Sequence, residues 1–210
     1  MSRTARPRRA VFGALAAVAS CGAAMAEPAP RSGRYDNLTL VVKGDRVAGA
    51  FAEGRGGVEG MPSFSCIFLL HGTLSGARAA VETWYPGEAQ RISGTLAFDA
   101  AGAALTLAED HGGCPMTTGS MVGSPYALAA EAADPGEDVA RWQGVALVTA
   151  KRAALLAEPG PAPKRSPYLV EADVVAIVER RGDWVRAAYG GGKAPVVGWL
   201  RAADIAAVEP

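Results

Sequence analysis

The chain has 210 residues, half of them apolar, and its 21 basic residues balance 21 acidic ones for a formal net charge of zero. The apolar share excludes a wholly disordered chain while leaving room for one large or two small cores, and the net charge of −4 expected once the N-terminal leader is removed argues against a nucleic-acid partner.

The first ten residues, MSRTARPRRA, hold four arginines and no acid. They run into VFGALAAVA, an apolar stretch of the length of a secretory h-region and too short to span a bilayer. Small residues at Ala24 and Ala26 stand before Glu27-Pro28, so a signal peptide over residues 1–26, cut after Ala26, is expected. Val18-Ala19-Ser20-Cys21 resembles the lipobox of bacterial lipoproteins, and acylation of Cys21 is the competing reading. Loss of residues 1–26 removes four of the 21 basic residues and no acid, leaving a net charge of −4. No later segment approaches the roughly 18 apolar residues of a spanning helix, so the mature chain is expected to carry no transmembrane segment. A periplasmic or secreted protein follows, or one held by a lipid at Cys21.

Two polar, Pro- and Gly-bearing segments punctuate the rest, EPAPRSGR after the signal and AADPGEDVARWQG at residues 132–144. The second divides a β-rich domain over 27–133 from a smaller one over 145–210, with 134–144 as linker. In the first domain, short runs rich in Val, Leu, Phe and Thr alternate with glycine-bearing turns. Strands are predicted at Leu38 to Val42, Val47 to Ala52, Phe64 to His71, Ala79 to Trp84, Arg91 to Phe98, Ala103 to Ala108 and Tyr126 to Glu131. The fold class is therefore all-β, with an antiparallel β-sandwich or meander barrel first. The tripeptide Gly-Thr-Leu occurs at 72–74 and again at 94–96. It reads either as two successive hairpins of a meander or as a chance echo.

The second domain alternates in the same way: Val145 to Thr149, a loop through EPGPAPKRSP, then Val174 to Val178, Trp184 to Tyr189, Val196 to Leu200 and the tail RAADIAAVE. The polar turn Arg180-Arg181-Gly182-Asp183 delivers Trp184 straight into a strand. In the order strand, AEPGP loop, YLVEADVVAIVERRGDWVRAAY and GWLRAADI, residues 145–208 resemble a bacterial SH3-type domain. The resemblance implies a small five-stranded SH3-like barrel, and with it attachment to cell-wall material or to a protein partner. Where eukaryotic members carry an ALYDY-like aromatic groove this chain has Ala154-Leu155-Leu156-Ala157. Residues 33–131, with their FSCIF and HGGC segments, loosely resemble uncharacterised periplasmic proteins that join a β-rich domain to such a tail; that likeness implies no activity.

Once the signal is gone, the cysteines are Cys66 and Cys114, and an oxidising compartment predicts one disulfide closing about 48 residues. The alternatives use the chain's two histidines. Cys66-x4-His71 and His111-x2-Cys114 offer four zinc-type ligands, although residues 66 and 71 would project from opposite faces of a regular strand. A free cysteine beside His111, oriented by Asp110, would make a nucleophile pair. Neither a metal nor a cofactor is expected, and no catalytic residue is assigned. Candidate binding residues are Trp84 and Tyr85 at a strand end, His111 after Glu109-Asp110, and Trp184 and Trp199 in the second domain, where aromatic faces can stack on sugar or peptide. Lys164-Arg165 and Arg180-Arg181 offer positive charge to an anionic wall polymer or an acidic partner. The functional expectation is a non-enzymatic envelope protein that binds a protein or peptidoglycan. The alternative is an envelope hydrolase, or an inhibitor of one, acting near His111.

Overall fold

The computed structural model describes residues 29–57, 63–190 and 194–210, so the signal-peptide and Cys21 readings lie outside the described residues. The first eight strands are β1 (Gly33–Tyr35), β2 (Leu38–Lys43), β3 (Arg46–Arg55), β4 (Phe64–Ser75), β5 (Arg78–Trp84), β6 (Ile92–Phe98), β7 (Gly102–Leu107) and β8 (Tyr126–Ala129). Each pairs antiparallel with the next in an uninterrupted meander. The ends of the sheet meet, since Tyr35 bridges Ala130 and the Glu131 N–H donates to the Arg34 carbonyl at 2.9 Å. Of the two all-β forms expected for this half, the sheet adopts the near-closed barrel.

Period-two patterning explains the strands. In β5, Ala79, Val81 and Thr83 are buried while the residues between them face outward. The interior is filled by side chains such as Leu40, Phe51, Phe68, Leu96 and Leu105. The repeated tripeptides fall on alternate strands, and their glycines flank one residue, because Gly72 and Gly94 are both register partners of Val81. A Cβ at Gly72 would overlap the Ala80 carbonyl, and one at Gly94 would lie 2.8 Å from Leu107 Cδ2. The two glycines thus clear the space that Val81 and Leu107 occupy.

The second half contains β9 (Gly144–Val148), β10 (Ala153–Ala154), β11 (Tyr168–Leu169), β12 (Val174–Arg181), β13 (Trp184–Tyr189), β14 (Val196–Arg201) and β15 (Ile205–Val208). Five of these form one antiparallel sheet in the order β14-β13-β12-β9-β15, and β10 pairs with β11. A backbone bridge from Leu156 to Trp199 ties the long β10–β11 connection to β14. Every residue of β9 is buried because both faces of this sheet are covered. Ala146, Val148, Ile177 and Leu200 pack together on one face of this sheet. Val145, Leu147, Ala176 and Ala188 pack against Val41, Ala48, Ala50 and Leu69 on the outer face of the meander.

Residues 134–144 lie in this junction. A single 3-10 turn, Val139–Arg141, leads to Trp142, which is 1% exposed and belongs to the shared apolar cluster. Arg34 reaches across from β1, with its guanidinium 5.3 Å from the centre of the Trp142 ring and paired to the buried Glu137 carboxylate. Hydrophobic burial and a shielded ion pair therefore join the two sheets.

Candidate functional site

The connection between β7 and β8 turns inward. The short helix α1 (Cys114–Thr117) packs against β3 and β4, and Cys114 is disulfide-bonded to Cys66 of β4 with both residues fully buried. Gly113, at φ 82°, sits where any Cβ would strike the Ser65 carbonyl, so this close approach requires glycine. His111 is drawn in with the helix and is 7% exposed. Its ring stacks on Phe68 at 4.7 Å, and Nε2 lies 2.7 Å from Thr83 Oγ1. The Thr83 hydroxyl donates its one proton to the Ile92 carbonyl at 3.1 Å, so Nε2–H is the donor to Thr83. Burial lowers the pKa of the imidazole, against the opposing influence of Glu88 and Asp110.

These contacts bear on the catalytic and metal alternatives. Both sulfurs are engaged in the disulfide, so neither supplies a thiolate. The Asp110 carboxylate accepts from Ser120 Oγ at 2.6 Å and the Met121 N–H at 2.8 Å rather than from His111. His71 lies on the outer face of β4, where its Nε2 is 3.5 Å from Glu82 and its ring meets Trp84 edge-on. Among the described residues, no group of three or more His, Cys, Asp or Glu is placed to hold a metal ion.

The aromatic candidates are dispersed. Trp84 is half-buried at the edge of the junction between the sheets, with the Arg91 guanidinium 4.7 Å from its ring centre. Tyr85, 40% exposed, lines an open cleft of about 520 Å3 between the sheets together with Ile67, Pro86, Leu147, Thr149 and Glu171.

Trp199 is buried beside the Leu156 bridge, and the Arg181 guanidinium lies 4.7 Å from its ring centre. Trp184 is half-buried, and its register partner Arg201 places a guanidinium 4.6 Å from its ring centre. A hollow of about 170 Å3 is lined by Arg152, Leu156, Gly160, Trp184, Arg201 and Asp204. Arg152 also stacks, 3.5 Å from the centre of the half-exposed Tyr168 ring.

The charge pattern around the second sheet was only partly legible in the sequence. Arg180 pairs with Glu209 at 2.6 Å and Arg181 with Glu179 at 3.2 Å, so this basic pair is internally compensated. Among the described residues, Arg152 and Arg201 have no carboxylate oxygen within 4.0 Å, and both border the Trp184 hollow. Nothing local in the sequence marks them; strand register brings Arg201 beside Trp184, and Arg152 reaches the same hollow from the turn just before β10.

Compared with protein-family models, with curated proteins and with solved structures, the chain finds no match.

Proposed function

We propose that the protein is a non-enzymatic binding module of the bacterial envelope and that its C-terminal barrel, the part resembling SH3-type domains, takes a carboxylate-bearing ligand at Trp184. The observation that carries this reading is the hollow beside Trp184, bordered by two arginines without carboxylate partners among the described residues. An aromatic face with guanidinium groups held over aromatic rings suits a planar peptide or sugar group that also carries negative charge. Cell-wall peptides have that chemistry, and so does an acidic segment of a partner protein. The arginine-rich leader and the buried disulfide support an exported protein, since such bonds persist in oxidising compartments.

Co-sedimentation of the folded protein with purified peptidoglycan tests the proposal. Retention of the wild type and its loss in Trp184→Ala support it. Equal retention of both proteins, or retention of neither by peptidoglycan or by an acidic peptide, removes it.

A further inference from the structure

The free edge of β14 leads away from the Trp184 hollow. Trp199 and Leu156 exchange both backbone hydrogen bonds, at 2.7 and 3.0 Å, so the N–H and C=O of Trp199 point away from β13. Backbone groups in a strand alternate sides, and the β13–β14 register runs without interruption from Trp184↔Arg201 to Tyr189↔Val196. The N–H and C=O of Val197 therefore point to the same outer edge as those of Trp199. Leu156 occupies the edge at Trp199, and no described strand pairs with it at Val197. Val196 and Val197 are 51% and 45% exposed, a large exposure for adjacent β-branched residues on a strand.

The side-chain pattern beside this edge is also specific. Val197 is the register partner of Ala188, and Ala188 of Ala176, so all three share one face of the sheet. A pocket of about 120 Å3 lies on that face, lined by Val197, Ala188, Val178, Pro195 and Trp142, with Glu137, Asp138, Arg141 and Arg186 supplying its charged part. In an antiparallel pair, directly opposed residues point to the same face. A residue opposite Val197 would therefore direct its side chain to the face that holds this pocket.

We propose that this edge is a second binding site, for an extended segment of another polypeptide that adds as a strand beside β14 and seats one branched aliphatic side chain against Val197 and Pro195. An antiparallel peptide would continue the antiparallel bridge that Leu156 makes one step further along the same edge. The site shares no lining residue with the Trp184 hollow, so it stands whether or not that reading does.

An acetylated, amidated pentapeptide of alternating threonine and valine, titrated into the 15N-labelled protein, provides the test. The same peptide with one N-methylated central amide serves as control. The expected result is a shift of the Val197 amide and the Trp142 indole N–H, slowed hydrogen exchange at Val197, and about tenfold weaker binding of the N-methylated peptide, the loss of roughly one hydrogen bond. Because that control leaves the protein intact, it separates edge pairing from misfolding, and Val197→Pro should weaken binding similarly. The proposal is overturned if millimolar peptide leaves Val197 and Trp142 unmoved, if both peptides bind equally, or if the Val197 amide becomes protected through dimerisation of the protein alone.

Discussion

The guanidinium of Arg34 lies in the space that a Cβ at Gly190 would occupy. Arg34 belongs to the meander and Gly190 follows the end of β13, so the contact crosses the junction between the sheets. A flexible arginine would ordinarily move aside. Here it is held by the buried Glu137 carboxylate and by the Trp142 ring. Gly190→Ala is expected to cost about 1–3 kcal/mol, as for an overpacked site, with Arg34→Ala costing about 3 kcal/mol by leaving a buried carboxylate uncompensated. Urea titration of both single variants and the double variant checks this: the double should lose much less than the sum, and strict additivity would contradict the contact.

The glycines of the repeated tripeptide should tolerate alanine badly. Gly72→Ala forces a methyl toward the Ala80 carbonyl, a backbone atom that cannot swing away, and should cost about 1–3 kcal/mol. Gly54 is the matched control on the same sheet, because its added Cβ would meet nothing nearer than 3.8 Å. Thermal unfolding of the two variants should separate them clearly.

The disulfide is expected to be a major source of stability. Cys66 and Cys114 are 48 residues apart, and closing such a loop stabilises a fold by about 4 kcal/mol on the chain-entropy estimate. The double variant Cys66→Ser, Cys114→Ser should unfold at markedly lower denaturant, and a thiol assay of the unfolded, unreduced wild type should find no free sulfhydryl at either position.

His111 gives stability a defined dependence on pH. Burial holds its folded-state pKa below the unfolded value near 6.5, so the folded form prefers the neutral ring. That preference contributes fully above about pH 6.5 and is lost as pH falls from there through the lower folded-state pKa. Denaturant midpoints between pH 7.5 and 5 should therefore decline more steeply for the wild type than for His111→Phe. Parallel curves would show that His111 is not the group responsible.

Much of this fold was readable because strands such as β5 and β6 alternate between core and the outer face. What escaped has physical causes. Strands β1, β10 and β11 span only two or three residues, too few to show a period. Residues 134–144 are rich in Pro, Gly and acid and read as a tether, yet Trp142 within them is an anchor between the sheets. Glu109-Asp110-His111 looks like a solvated turn, but the bond at Cys114 pulls the chain inward and buries the imidazole. Trp184 is marked in the sequence by the polar turn before it, whereas only the fold places Arg152 and Arg201 beside it.

The most direct test of the binding reading is peptidoglycan co-sedimentation by the wild type and by Arg152→Glu, Arg201→Glu across a salt series, with folding confirmed by circular dichroism. The account predicts wild-type binding that weakens as salt rises and is abolished by reversing the two charges. Binding that is indifferent to salt and undiminished in the charge-reversed protein would contradict it.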